Sequence, residues 1–268
     1  MGRRRKMDPV TILRADLRAM DALIAKAVRA YDEAAHANAR VGAIRTEAEL
    51  VQRRRSVVFA LAAMVAENLG SGFRPVSIAG DCCSTIGVAA GLQRAGIEFL
   101  LIWLDAHGDF NTWETTPSGF LGGMPLAMLV GRGEQTMPEA VGLLSLPEQR
   151  ILLMDARDLD PEEETALLET EILRLTNVDD LIRHPLPDLP IYLHLDVDII
   201  DPEEAPAMNY LAPGGPGVDE LREAFRFLSR TGNIEAVSMS TWNPELDSDG
   251  QSREVCMSLL DTLLGNAH

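Results

Sequence analysis

Two acidic runs follow apolar segments. Asp105-Ala106-His107-Gly108-Asp109 comes directly after Phe99-Leu100-Leu101-Ile102-Trp103-Leu104. Asp196-Val197-Asp198-Ile199-Ile200-Asp201-Pro202 comes after Ile191-Tyr192-Leu193-His194-Leu195. Side chains on a strand alternate with a period of two, so Asp105, His107 and Asp109 are expected to point one way, and Asp196 and Asp198 to share a face. A buried carboxylate needs a partner, and the basic residues near these motifs are too few to neutralise four of them. A pair of divalent ions is the economical answer. Carboxylate oxygens and imidazole suit Mn²⁺, Fe²⁺ or Zn²⁺, and a carboxylate can bridge two ions. One such run alone is an ordinary solvated turn. Two, each at the end of a buried strand, favour the metal reading.

A third segment ends comparably: Pro75 to Ala79 runs into Gly80-Asp81-Cys82-Cys83-Ser84. Cys82 offers a thiolate ligand, whose pKa a metal depresses. Cys83 is expected to point elsewhere and pack. His194 shares the face of Asp196 by alternation and is read as a core or orienting residue rather than a ligand. Trp103 and Trp113 read as packing, Arg53-Arg54-Arg55 as a solvated helix face or an oligomer contact, and His36, His184 and His268 as surface residues.

The elements that must position these residues alternate along the chain. Helices are expected over Glu47–Leu69, Ser84–Arg94, Pro161–Arg174, Val218–Arg230 and Ser252–Leu264. Strands are expected over Pro75–Ala79, Glu98–Leu104, Ile151–Met154, Ile191–Leu195 and Ile234–Ser240. Glu98–Leu104, Ile151–Met154 and Ile191–Leu195 are apolar without alternation, which suits burial on both faces. Strands alternating with helices predict a mostly parallel sheet in a three-layer α/β/α sandwich. The long irregular stretches, 109–123 and 201–217, both follow acidic strand ends, where open α/β sheets bind ligands. There is no linker, repeat or low-complexity segment, so 1–268 is read as a single domain, in keeping with its length.

Asp plus Glu number 41 against 24 Lys plus Arg, a net charge of −17. That excludes nucleic acid as the main partner, because phosphate binding needs a basic face. It permits metal cations or a cationic small substrate. Three cysteines do not make a disulfide framework and suggest a reducing, cytoplasmic setting. No apolar run reaches the roughly 18 residues of a membrane span. The opening MGRRRKMDPV carries charge with no apolar stretch behind it, unlike a signal peptide.

The three motifs together resemble those of the ureohydrolases, the family of arginase and agmatinase. That family reads G-G-D-H-S, D-A-H-x-D and S-x-D-x-D-x-x-D-P in this order. This chain reads A-G-D-C-C-S, D-A-H-G-D and H-L-D-V-D-I-I-D-P. The resemblance covers about residues 75–250. It implies the arginase-type α/β/α fold, a trimer or hexamer, and two divalent ions, Mn²⁺ first, with Zn²⁺, Fe²⁺ or Co²⁺ admitted by the thiol. Asp105 and Asp196 would bridge the ions, Cys82 and Asp109 would complete one site, and His107 and Asp198 the other. Asp109 would also orient the attacking water and handle its proton. Asn111 and Ser118 match positions that hold a substrate carboxylate, and Asp160 and Glu163 match positions that hold its α-ammonium.

The chain departs from the pattern at four points. Cys82 replaces a ligand His. Gly122-Gly123 replaces the His-Gly that shuttles protons, and Phe120 replaces an Asn. Thr241 replaces the Glu that pairs with the substrate guanidinium. The function implied is a metal-dependent amidinohydrolase that releases urea or hydroxyurea from an arginine-like amino acid. A guanidinium wants a carboxylate partner, whereas a less basic N-hydroxyguanidine can be held by Thr241, so N-hydroxyarginine is the first variant. The alternative is a non-catalytic metal- or ligand-binding homologue.

One expectation concerns the start of the chain. Gly2 to Pro9 resembles the loop that follows the first sheet strand of the family, so that strand is expected to be missing. Its neighbours would then carry unpaired backbone groups.

Overall fold

A computed structural model describes residues 47–231 and 233–265. Helix α1 (Glu47–Gly70) leads into strand β1 (Val76–Ile78) and helix α2 (Ser84–Arg94). Strand β2 (Leu100–Asp105) is followed by the short helices α3 (Pro125–Leu129) and α4 (Thr136–Val141). Then come β3 (Ile151–Asp155), α5 (Pro161–Leu168), β4 (Leu173–Leu175) and α6 (Val178–Arg183). The chain closes with β5 (Ile191–Asp196), α7 (Val218–Thr231), β6 (Ile234–Ser240) and α8 (Gln251–Leu263).

The six strands form one sheet in the order β1-β6-β5-β2-β3-β4, and every pairing is parallel. Parallel strands must be covered on both faces, and the residues of β2 divide accordingly. Leu101 and Trp103 pack with α1, α2, α3 and α4, whereas Leu100, Ile102 and Leu104 pack with α6, α7 and α8. The expected three-layer α/β/α sandwich is therefore observed.

The expected helix Pro161–Arg174 is shorter than its sequence pattern. It starts in a capping box, in which Glu163 Oε2 accepts from the Asp160 amide at 3.2 Å, and it ends at Leu168. The next apolar residues form β4 instead, because pairing with β3 satisfies the backbone of Leu173–Leu175. Strand β1 pairs with β6 and with no other strand among the described residues. The expectation for the first strand falls on residues outside those described.

Because all strands run the same way, the carboxyl ends of β1, β2, β5 and β6 lie along one edge of the sheet. Arg157 ties down the loop beyond β5. Its guanidinium pairs with Asp155 and donates to the carbonyls of Asp198 (3.1 Å), Ile199 (3.1 Å), Ala212 (2.9 Å) and Pro213 (3.1 Å). Segment 198–213 is thereby held as one unit.

Candidate metal centre

Strand alternation explains fewer of the site residues than expected. β2 stops at Asp105, and the chain then bends, with Asp109 in the left-handed region at φ 49°. β5 stops at Asp196, and Val197–Ile199 forms a single 3-10 turn. His107, Asp109 and Asp198 are placed by these turns rather than by period-two geometry. The turns are locked by the acids themselves. Asp105 Oδ1 accepts the His107 amide at 2.7 Å, Asp196 Oδ1 the Asp198 amide at 3.0 Å, and Asp198 Oδ1 the Ala106 amide at 3.2 Å.

Two donor clusters result, each with its ligand atoms within 4.8 Å of one another. One joins Asp105, His107 and Asp198, and the other joins Cys82, Asp105, His194 and Asp196. Asp105 belongs to both, as a bridging residue would. Its other oxygen accepts from Trp103 Nε1 at 2.9 Å. His107 Nδ1 stands 3.0 Å from Asp198 Oδ2 and 3.5 Å from Asp105 Oδ1. Cys82 Sγ donates to Asp196 Oδ2 at 2.8 Å and lies 3.1 Å from Ser240 Oγ. Asp109 is in neither cluster. It is buried nearby, and its Oδ2 has no hydrogen-bond partner.

The charges are poorly balanced. Burial, then Asp198, raises the Asp196 carboxyl to about 8. Burial, then Asp105, raises Asp198 to about 6. Burial, then Asp105 and Asp196, pushes Asp109 well above the usual carboxylate range. Burial likewise raises the Cys82 thiol, with Asp109, Asp196 and Asp105 adding to it. Burial alone would lower His107, but its hydrogen bonds to Asp105 and Asp198 raise it to about 12. One imidazolium thus faces four buried carboxyl groups, which cannot all ionise without further positive charge. The orphaned Asp109 oxygen and this excess of acceptors fit divalent cations.

Above the clusters lies a cavity of about 520 Å³. Asn111, Ser118, Asp160, Glu163 and Thr241, the candidate substrate-binding residues, all line it, as does Asp109. Several already have protein partners. Asn111 Nδ2 donates to Asp160 at 2.9 Å, and Glu163 Oε1 accepts the Phe110 amide at 2.8 Å. Ser118 Oγ accepts the Phe120 amide at 3.2 Å. The Thr241 hydroxyl donates to Asp196 Oδ1, and Thr241 itself holds a φ of 69°. Cys83 points away, with Sγ 3.7 Å from the Leu121 carbonyl oxygen.

Two residues at the site gain significance from the fold. His194 joins a donor cluster, and alternation with Asp196 was the available signal. Tyr210 lines the cavity and packs on Phe120 with ring centroids 4.9 Å apart. Its position in an irregular stretch gave no sign of this. Among the described residues, no helix is long and apolar enough to cross a membrane.

The clustered carboxylate, imidazole and thiol groups at the carboxyl edge of the parallel sheet could hold divalent metal, and comparison with known proteins gives the class, a metal-dependent ureohydrolase. The model of the arginase family matches residues 6–265. The arginase of Bacillus subtilis (strain 168) is 31% identical over 203 residues, which cover 71% of this chain and 69% of that protein. The arginase of Brucella melitensis biotype 1 is 31% identical over 211 residues, covering 72% and 68%. The solved arginase of Bacillus caldovelox superposes with a TM-score of 0.74 at 30% identity, covering 80% of this chain and 76% of that one. Formimidoylglutamase of Bacillus subtilis shares the fold, with a TM-score of 0.65 at 19% identity, covering 80% and 67%. The chain belongs to the arginase family.

Proposed function

We propose that this protein hydrolyses the guanidino group of an arginine-like amino acid, with N-hydroxyarginine as the first candidate and arginine or agmatine as the second. The products are an amine and hydroxyurea or urea. The observation that carries the reading is the pair of donor clusters at the floor of a cavity lined by Asp160, Glu163 and Asn111. Two divalent ions, Mn²⁺ first among them, supply when bound a water acidic enough to ionise near neutral pH. Asp105 and Asp196 are the proposed bridging ligands, with Cys82 and Asp109 on one ion and His107 and Asp198 on the other.

The chain's own residues do the rest. Asp109 orients the attacking water and holds its proton, since Oδ2 is free of protein partners. Asp160 and Glu163 give the cavity wall a negative charge suited to an α-ammonium. Thr241 sits where the family resemblance puts a carboxylate against the guanidinium, and its hydroxyl is already held by Asp196. A strongly basic guanidinium therefore finds no counter-charge at that position. A weakly basic N-hydroxyguanidine does not require one.

The second reading, a non-catalytic binding homologue, is favoured by Gly122-Gly123, which places no proton-shuttling side chain at that point of the cavity. Metal analysis of the purified protein, followed by a urea and hydroxyurea release screen, separates the two. With Mn²⁺ added, N-hydroxyarginine is expected to turn over faster than arginine or agmatine. A metal-loaded protein that releases neither product from the whole panel would overturn the enzymatic reading. The proposed setting is cytoplasmic, in keeping with three free, buried cysteines. The proposed assembly is a trimer or hexamer, which sedimentation analysis would test.

A further inference from the structure

The imidazole that position 82 does not supply is present on β5, which β6 separates from β1. His194 lies on β5 with no exposed surface. The sheet register pairs it with Trp103 on one side and Ser238 on the other. Its ring packs on Trp103 with centroids 4.2 Å apart. Nδ1 is 2.8 Å from Ser238 Oγ, which is in turn 2.8 Å from the Tyr192 hydroxyl. One nitrogen is therefore engaged, and the ring plane is held from two directions.

The other nitrogen is underused. Nε2 faces Ser240 Oγ at 3.5 Å, the outer limit of a hydrogen bond. That same Ser240 oxygen touches Cys82 Sγ at 3.1 Å and Asp196 Oδ2 at 3.2 Å, so Nε2, the sulfur and the carboxylate converge on one hydroxyl, and His194, Cys82, Asp105 and Asp196 bring ligand atoms within 4.8 Å of one another. A purely structural histidine in so dry a place would have both nitrogens well bonded. Imidazoles that bind metal have the arrangement seen here, with the far nitrogen tied to a fixed partner and the near one open.

We propose that His194 Nε2 is a metal ligand and forms, with Cys82, Asp105 and Asp196, a four-donor site for one divalent ion, taking the ligand place assigned above to Asp109, which belongs to neither cluster. One sulfur, one nitrogen and two oxygens suit a tetrahedral ion such as Zn²⁺ or Co²⁺ better than Mn²⁺. The Asp105–His107–Asp198 cluster offers only oxygen and nitrogen and suits a harder ion. His107 is 29% exposed at its side chain, against 4% or less for each residue of the first set. The centre is thus asymmetric. The sulfur-bearing set is the more buried of the two, with Cys82 and Asp196 at the cavity wall and Asp105 and His194 behind them.

The proposal rests on the metal-centre part of the functional reading and not on hydrolysis, so its test reads binding. Metal-free protein is loaded with one equivalent of Zn²⁺, and the scattering shell around zinc is recorded by X-ray absorption. The unaltered chain should show sulfur and imidazole on the same ion. The imidazole contribution should persist in His107→Asn and vanish in His194→Phe. Co²⁺ titration gives a second reading. His194→Gln should weaken binding at the sulfur-bearing site by more than about 100-fold, beyond the range for a residue that only orients a ligand. The thiolate charge-transfer band should remain but with altered d–d bands. A shell of sulfur and oxygen without imidazole in the unaltered chain would overturn the proposal even if both variants failed to fold. So would a variant that binds Co²⁺ with unchanged affinity and spectrum. A protein that shows the expected shell and hydrolyses nothing would overturn the enzymatic reading alone.

Discussion

The ring of Phe120 occupies the space that a side chain at position 122 would need. A Cβ built on Gly122 would lie 2.4 Å from Phe120 Cε1 and Cζ. The two departures from the family pattern in this loop are therefore sterically coupled: with the Phe120 ring in this place, position 122 has no room for a side chain. Gly122→Ala should push Phe120 off Tyr210 and lower stability. In a Phe120→Ala background the same change should be nearly neutral. The coupling should fall in the range of about 0.5–3 kcal/mol found for residues in contact. Additive denaturation midpoints across the double-mutant cycle would show that the ring does not constrain position 122.

Asp109 should trade stability for function. Its Oδ2 is buried without a partner, and its carboxyl is raised by burial and by Asp105 and Asp196. Asp109→Asn removes the charge that is costly to bury. The metal-free variant should melt higher than the metal-free parent, while metal retention falls and turnover drops by roughly 100-fold or more. A lower melting temperature for the metal-free variant would mean that the carboxylate is compensated in the fold.

The metal-free protein should lose stability as pH rises from 6.5 to 8. Asp196 is raised from 3.8 to about 8, and His107 from 6.5 to about 12. In this window the folded chain binds more protons than the unfolded chain, so stability falls with pH. Each contribution is fully present below the unfolded value and is lost as pH climbs through the folded one. His194, lowered to about 3 by burial, is neutral in the folded chain and half protonated in the unfolded chain at 6.5, so it opposes the slope weakly and only at the lower end of the window. Saturating divalent metal should reverse the slope, because ions bind the deprotonated ligands. Thermal melts at pH 6.5 and pH 8, with and without metal, check both signs.

Gly91 should tolerate no side chain. A Cβ there would lie 2.5 Å from both Val65 Cβ and Val65 Cγ1, where α2 crosses α1 in the core. Gly91→Ala should cost about 1–3 kcal/mol through overpacking. The gain in helix propensity of about 1 kcal/mol opposes this and does not cancel it. A variant that melts at or above the parent temperature would show that α1 can shift outward.

Much of this architecture was legible along the chain. Apolar runs such as Leu100–Leu104 and Ile191–Leu195 identify buried strands, and their alternation with helical segments implies a parallel sheet. Ser84–Arg94 and Ile234–Ser240 form as the sequence pattern predicts. Edge elements were not legible in the same way. Leu173–Leu175 reads as the tail of a helix until β3 is there to pair with it. The short helices at 125–129 and 136–141 lack a periodic pattern long enough to stand out from a loop.

The sequence by itself determined the donor types, because Asp, His and Cys at the ends of apolar strands leave little chemistry other than metal binding. It also placed His194 and Asp196 on one face, since strand parity is a local property. Only the tertiary structure decided which groups meet. The register Trp103↔His194 and Asp196↔Ser240 aligns strands distant in sequence, and no local rule sets that alignment. The turns after Asp105 and Asp196 then swing His107 and Asp198 together, and Asp109, at a φ of 49°, has its carbonyl held by the amides of Leu126 and Ala127. Phe120 against Tyr210, and Thr241 bound to Asp196, are likewise outcomes of packing between segments that do not neighbour each other in the chain.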